Sequence, residues 1–149
     1  MEKKRVLFVC IHNSARSQIA EAFLNKLAGD KFDAQSAGLE PGILNPLAIE
    51  VMKESGIDIS GNKTKSVYDY LKRGESFDYV ITVCDEANGQ ACPMFPGKGI
   101  REHWSIADPS SFTGTWEEKL SNTRGVRESI KAKVMELITR IKTDKGIGV

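Results

Sequence analysis

The stretch Arg5-Val-Leu-Phe-Val-Cys10 is a short apolar run that ends in a thiol, and Arg16-Ser17 opens a helical pattern six residues after that thiol. A continuous apolar run of this length is typical of a strand that a parallel sheet buries on both faces. The residues between the run and the helix therefore form a loop from the carboxyl end of a strand to a helix N-terminus. Backbone N–H groups of such a loop can bind a tetrahedral oxyanion, and the helix dipole favours its negative charge.

Cys10 and Arg16 stand at opposite ends of this loop. The field that favours an anion also favours a thiolate over a thiol, so we expect Cys10 to be a strong nucleophile at neutral pH. The two residues also fit a second interpretation, a core cysteine at a strand end beside an exposed helix arginine. Asn13 and Ser14 likewise fit ordinary turn and cap positions. On the first interpretation, the sequence predicts an enzyme that attacks a phosphate-like anion with sulfur.

Four strand-like runs alternate with helical patterns along the 149-residue chain. We predict strands at residues 5–10, 32–38, 79–84 and 100–104. We predict helices around residues 19–27, from the Asn45-Pro46 cap to Gly56, over residues 66–71, and from a capping box at residues 115–118 to residue 141, with an interruption expected at Gly125. This alternation favours the α/β class, a single domain over residues 1–149 with a four-stranded parallel sheet flanked by helices. Ligands of such sheets bind beyond the carboxyl ends of the strands.

The composition argues against several classes of protein. The formal net charge is only +1, so bulk electrostatics predict neither a nucleic-acid partner nor binding to a membrane surface. The longest apolar stretches span five or six residues, far short of a membrane span, and we expect a cytoplasmic protein. The three cysteines and two histidines do not fall at the spacings of a zinc site, so we expect no metal and no cofactor.

Three more residues are candidates for the chemistry. Asp108-Pro109 follows the fourth predicted strand, where a protonated Asp108 could act as general acid, although Asp-Pro is also a common turn. Cys84 ends the third predicted strand, on the same rim of the sheet as Cys10, and it fits core packing as well as chemistry. Cys92 lies in a polar loop flanked by glycine and proline, from which it could exchange a disulfide with Cys84.

Together these residues match a known family. The segment from Val9 to Gln18 resembles the oxyanion loop of low-molecular-weight tyrosine phosphatases and of their relatives, the thioredoxin-coupled arsenate reductases. The resemblance to the reductases extends over nearly the whole chain and includes Ser36-Ala-Gly38, Asn45-Pro46, residues 52–60, residues 80–84, Cys92-Pro93, residues 101–104 and Asp108-Pro109. The oxyanion loop by itself does not separate the two activities, whereas loop, acid and paired distal cysteines are specific as a combination.

The resemblance implies a role for each of these residues. Cys10 is similar to the nucleophile that attacks arsenate, and Asp108 to the acid that protonates the leaving oxygen. Cys84 is similar to the thiol that attacks the arsenic adduct of Cys10 and releases arsenite, and Cys92 to the thiol that takes over the resulting disulfide for thioredoxin to reduce. The oxyanion would be held by the loop, namely Ile11, His12, Asn13, Ser14, Ala15, Arg16 and Ser17.

Two features depart from the reductase pattern. The reductase loop usually carries Thr-Gly where this chain has Ile11-His12. Some members also bind potassium near the loop through Asn, Glu, Ser and Asp. Asn13, Glu21 and Ser36 match the first three, but the Asp position falls around Lys65-Ser66, which argues against a potassium site in this chain.

Two other functions fit part of the pattern. A phosphatase acting on phosphotyrosine or another phosphate monoester needs only Cys10, Arg16 and Asp108. The segment after Asp108 lacks the tyrosine pair that lines the aromatic slot in many such phosphatases. A non-catalytic oxyanion or arsenite sensor would use the same loop and report through disulfide formation or partner binding.

Overall fold

The protein is built on one parallel sheet. The computed structural model describes residues 3–85 and 99–148, with side chains up to residue 141. Its strands are β1 (Lys4–Cys10), β2 (Phe32–Gly38), β3 (Tyr79–Cys84) and β4 (Ile100–Ser105), and they lie in the order β2-β1-β3-β4. All three neighbouring pairs are parallel. The predicted α/β class and four-stranded parallel sheet are confirmed.

The described residues form four α-helices around the sheet: α1 (Arg16–Ala28), α2 (Pro46–Glu54), α3 (Val67–Lys72) and α4 (Trp116–Gly148). The side chains of Asn45 and Ser66 cap α2 and α3 by accepting hydrogen bonds from backbone N–H groups. Thr115 and Glu118 exchange the two hydrogen bonds of a capping box at the start of α4. The expected interruption at Gly125 is wrong, because α4 continues through this residue.

The sheet is buried on both faces, as its apolar strands predict. Along β1, Val6 and Phe8 belong to the larger core, which α1 and α4 complete on one face. Leu7 and Val9 belong to a smaller core on the other face, which includes residues of α3. The alternation of faces along one strand therefore sets up three layers, with the sheet between helices.

The strand order determines where a ligand can bind. β1 lies between β2 and β3, and the chain leaves β1 for β2 on one side before it returns to β3 on the other. This order creates a switch point between β1 and β3, and open α/β sheets bind their ligands at such a point, beyond the carboxyl ends of the strands. Cys10 ends β1 and Cys84 ends β3, so the predicted placement of both residues on one rim of the sheet is confirmed. No helix in the described part of the chain is long and apolar enough to cross a membrane.

Candidate active site

The loop from Ile11 to Ala15 joins β1 to α1 at this switch point. Ala15 occupies the N-cap position of α1, and no side chain caps the helix there. The first turn of α1 also contains no acidic residue. The first N–H groups of a helix need an acceptor, so this end of α1 is suited to an anion supplied from outside the chain.

The sulfur of Cys10 lies among hydrogen-bond donors. The backbone N–H of Asn13 donates to Sγ at 3.1 Å, and Ser17 Oγ lies 2.8 Å from the same sulfur. Ser17 Oγ also accepts a hydrogen bond from Asn13 Nδ2 at 2.8 Å, and its hydroxyl can donate to the sulfur when Cys10 is a thiolate. Cys10 is a free, buried thiol. Donors arranged around a sulfur atom stabilise its anionic form.

Asn13 lies fully buried in the middle of the loop, and its side chain forms more contacts than an ordinary turn residue would. Its φ is +55°, a left-handed conformation that asparagine tolerates better than most side chains. Its Oδ1 accepts hydrogen bonds from Gln18 Nε2 at 3.0 Å and from the backbone N–H of Lys65 at 2.9 Å. These bonds hold a strained residue in place, and with it the N–H that faces Cys10.

The chain after β2 supports the outer side of the loop. Backbone N–H groups of Leu39, Glu40 and Gly42 donate to the carbonyls of residues 10, 11 and 12 at 3.2, 2.8 and 3.0 Å. Gly38 makes this close approach possible, because a Cβ on it would lie 2.7 Å from Ile11 O. The sequence interpretation missed this role, although a glycine inside a strand pattern is itself a signal of close backbone approach.

His12 binds the same supporting segment. Its Nδ1 lies 2.9 Å from the carbonyl oxygen of Glu40. A carbonyl can only accept, so Nδ1 carries the hydrogen and Nε2 faces away from this bond. This hydrogen bond joins the loop to the segment that follows β2.

Arg16 is buried, which excludes the interpretation of an exposed helix arginine. Only 4% of its side chain is accessible, and Nη2 lies 3.3 Å from Asp108 Oδ2. Nη1 donates to the carbonyl of Ile106 at 3.1 Å. These contacts hold the guanidinium beside the loop between β4 and α4.

Asp108 lies in a turn, and it also contacts Arg16. Its Oδ1 accepts a hydrogen bond from the N–H of Ser110 at 2.9 Å and so caps a short 3₁₀ turn, Pro109–Ser111. Its Oδ2 faces Arg16, and the side chain is 15% exposed. Asp108 is therefore a turn residue whose second oxygen points towards the oxyanion loop.

Cys84 lies buried at the end of the neighbouring strand, and it is disulfide-bonded. Its sulfur is 3.7 Å from Nε2 and 3.8 Å from Nδ1 of His103. The ring of His103 also lies 3.2 Å from Thr82 Oγ1. The sequence gave His103 no part in the site, and its contact with Cys84 arises from the pairing of β3 with β4. Cys92 lies outside the described residues.

The residues that match potassium ligands are joined to a lysine. Glu21 Oε1 accepts a hydrogen bond from Ser36 Oγ at 3.1 Å and lies 3.0 Å from Lys65 Nζ. In the described residues, no group of three or more histidine, cysteine, aspartate or glutamate side chains could hold a metal ion. The Lys65 contacts could not be found from local pattern, because 44 positions separate Lys65 from Glu21.

The chain is similar to known proteins over most of its length. A family model described as low molecular weight phosphotyrosine protein phosphatase matches residues 5–146. An arsenate reductase from Bacillus subtilis (strain 168) is 42% identical over 136 residues, which is 91% of this chain and 96% of that protein. A solved arsenate reductase in its phosphate-binding state superposes with a TM-score of 0.76 and 34% identity, covering 93% of this chain and 98% of the other. A thioredoxin-dependent arsenate reductase from Corynebacterium glutamicum has a TM-score of 0.68 and 32% identity, covering 97% of this chain and 64% of the other.

Proposed function

The chain belongs to the low-molecular-weight phosphotyrosine protein phosphatase family, and from this premise we propose that it is an arsenate reductase, like its relatives of that name. Arsenate is the proposed substrate, and thioredoxin is the proposed reductant. The observation that carries the proposal is the environment of Cys10. A buried free thiol lies among N–H and O–H donors at a helix N-terminus, one strand away from a second cysteine.

The first proposed step is nucleophilic attack on arsenate. The uncapped start of α1, the loop residues 11–17 and the Arg16 guanidinium hold the arsenate oxygens. The Cys10 thiolate forms a bond to arsenic, and one oxygen leaves as water after it takes a proton from Asp108. Oδ2 of Asp108 lies next to Arg16, so acid and anion clamp act from the same side of the pocket.

The second proposed step transfers two electrons. Once reduced, Cys84 attacks the Cys10 sulfur as a thiolate, and the electron pair of the sulfur–arsenic bond stays on arsenic. Arsenic(V) becomes arsenic(III), arsenite leaves, and the two sulfurs are oxidised to a Cys10–Cys84 disulfide. The adjacent strand ends of β1 and β3 support this step, because they bring the two cysteines to one rim of the sheet.

The last proposed step regenerates the nucleophile. The Cys92 thiolate attacks the Cys84 sulfur, which releases Cys10 as a thiolate and leaves a Cys84–Cys92 disulfide. Two electrons from a dithiol, proposed to be thioredoxin, then reduce this bond. The support for this step is the resemblance of the Cys92-Pro93 segment to the reductases and the description of the Corynebacterium relative as thioredoxin-dependent.

Disulfide mapping tests the relay directly. Fully reduced protein is mixed with arsenate, alkylated after set times and analysed by peptide mass spectrometry. We expect Cys10–Cys84 first and Cys84–Cys92 later, and Cys92→Ser should accumulate Cys10–Cys84 with one arsenite per protein. Phosphate is the matched control, because it fits an oxyanion pocket but accepts no electrons and should produce no disulfide. Full multi-turnover arsenate reduction by Cys84→Ser or Cys92→Ser would rule out the relay.

The family description supports one other candidate, a phosphatase acting on a phosphate monoester. This activity needs Cys10, Arg16 and Asp108 but neither distal cysteine. Hydrolysis of a small aryl phosphate does not separate the two functions, because both use the same pocket. The two activities are therefore measured side by side in the wild type and in a Cys84 variant. If arsenite release depends on Cys84 and aryl phosphate hydrolysis does not, the distal thiol serves reduction.

A further inference from the structure

We propose that Lys65 is a positioning residue for Cys10: its ammonium group neutralises the partly buried Glu21 carboxylate, and its backbone fixes Asn13 beneath the thiolate. The inference deepens the function proposed above and rests on Cys10 being the nucleophile. Lys65 touches neither Cys10 nor the anion in this scheme, and it acts through the residues between them.

The first support is the ion pair with Glu21. The Glu21 side chain projects from α1 and is only 13% exposed, and its Oε1 has two described partners, Lys65 Nζ at 3.0 Å and Ser36 Oγ at 3.1 Å. A hydroxyl can donate one hydrogen bond but cannot cancel a charge. A carboxylate this far from water is costly unless a cation balances it.

The charge of Glu21 acts on other groups in the same interior. The pKa of Tyr70 is raised to about 12, first by burial and then by the negative charges of Glu21 and Glu75. The Cys10 thiolate would be a second anion beside α1, and Cys10 precedes Glu21 by only eleven residues. An unbalanced Glu21 carboxylate would therefore disfavour the charged form of Cys10, as it disfavours the charged form of Tyr70. The Lys65 cation offsets that effect.

The second support is the backbone of Lys65. Its N–H donates to Asn13 Oδ1 at 2.9 Å, and its carbonyl accepts from the N–H of Gly38 at 2.8 Å. Asn13 in turn directs its own N–H at Cys10 Sγ. A continuous series of contacts thus runs from the Glu21 carboxylate through Lys65 and Asn13 to the sulfur.

The test measures the reactivity of the Cys10 sulfur rather than enzymatic turnover. Fully reduced, full-length protein is treated with iodoacetamide across a pH series, and mass spectrometry of the Cys10 peptide gives the alkylation rate at that residue alone. Lys65→Met should slow alkylation at pH 7 about fivefold and move the pH profile to the alkaline side, as expected for one unit charge uncovered near a partly buried anion. Lys65→Arg should retain most of the wild-type profile.

The matched control is Lys63→Met, which removes the same charge from an exposed residue two positions earlier. Its profile should coincide with that of the wild type. The decisive variant is Lys65→Met combined with Glu21→Gln, which deletes both charges and should return the profile to the wild-type position. Thermal unfolding of each variant identifies the ones that fold normally.

Two results would overturn the inference. One is a Lys65→Met profile that coincides with that of Lys63→Met. The other is a shifted profile that Glu21→Gln fails to reverse, since a purely structural role would give that result. Failure of the proposed function is distinguishable, because it would appear as absent arsenite production by wild-type protein whose Cys10 alkylates normally.

Discussion

Single residues control this site through contacts of a few ångströms. Gly38 lies where a side chain would meet three backbone atoms of the oxyanion loop, and Arg16 lies buried between a carbonyl and a carboxylate. Position 38 has no space for a side chain, and the guanidinium of Arg16 is held by two partners. Both are therefore suited to substitutions whose effects can be predicted.

Gly38→Ala should distort the oxyanion loop. The new Cβ would lie 2.7 Å from Ile11 O and 2.8 Å from Asn13 N, and backbone atoms cannot move aside as a flexible side chain can. We expect a loss of about 1–3 kcal/mol in the free energy of unfolding, measured by urea denaturation, together with weaker phosphate binding. Gly61→Ala is the control, because nothing lies within 4 Å of its added Cβ. Equal effects of the two substitutions would contradict the close approach.

Arg16→Lys should weaken oxyanion binding while the protein still folds. A lysine keeps the charge but loses the planar fork that contacts Ile106 and Asp108 at once. One hydrogen bond to a charged group is worth about 1.5–3 kcal/mol, so affinity for phosphate or arsenate should fall roughly 10- to 100-fold. Isothermal titration with each anion measures the change. Unchanged affinity would show that the guanidinium does not hold the anion.

The sequence predicts Cys10, Arg16 and Asp108 as site residues, because each stands at a recognisable boundary between elements. It did not reveal the partners that orient them. Lys65 and Ile106 contact the site across 52 and 90 positions of sequence, and only the folded sheet brings them there. By sequence Asp108 fits both a turn residue and a general acid, and in the structure one oxygen caps the 3₁₀ turn while the other faces Arg16.

At the scale of elements, local chemistry predicted the structure well. The strands and helices begin and end where capping residues, glycines and apolar periodicity indicate. Asn45, Ser66 and Thr115 illustrate this at the starts of three helices. Gly125 misled the sequence interpretation, because the packing of buried residues on either side, Thr123 and Val126, keeps the helix continuous through it. Tertiary contacts overrode a local propensity there.

Gly125→Ala should therefore stabilise the protein. The residue is exposed within α4, and nothing lies within 4 Å of an added Cβ. Alanine loses less backbone freedom on folding, and we expect a gain of about 0.5–1 kcal/mol in the free energy of unfolding. Gly114→Ala should act in the opposite direction, because φ is +107° and the new Cβ would lie 3.1 Å from Glu118 Oε2. Chemical denaturation of both variants checks the contrast in sign.

Glu54 links the end of α2 to α4 through Arg124 and Arg127. The hydrogen bond from Arg124 is the largest cause that lowers the pKa of Glu54 from 4.5 to about 2. A carboxyl whose pKa is depressed on folding stabilises the protein above its unfolded value. This contribution is lost as the pH falls from about 4.5 to about 2.

Glu54→Gln should accordingly flatten the pH dependence of unfolding in that acid range, with only a small effect at pH 7, because the pair is exposed. Urea denaturation at a series of pH values measures the slope. Glu136→Gln, on an exposed part of α4, is the control and should leave more of the slope in place. A slope unchanged by Glu54→Gln would contradict the link between α2 and α4.

On the scale of the whole molecule, stability depends on how α4 packs over the sheet and α1. Leu137 is fully buried in the larger core, whereas Met135 on the same helix is half exposed. Leu137→Ala should cost about 2–5 kcal/mol in the free energy of unfolding. Met135→Ala should change it by less than about 0.5 kcal/mol. Thermal or urea unfolding separates the two, and comparable losses would contradict this packing of α4.

The site is assembled from segments far apart in the chain, and this has a consequence for synthesis. Cys10 leaves the ribosome roughly 100 residues before Asp108, a delay of about 5–20 seconds at ordinary elongation speeds. During that interval the Arg16–Asp108 contact cannot form, and the Lys65 amide is absent for roughly the first half. A nascent or truncated chain therefore lacks contacts that surround Cys10 in the folded protein, and the environment proposed to activate this thiol is complete only after Asp108 has been synthesised.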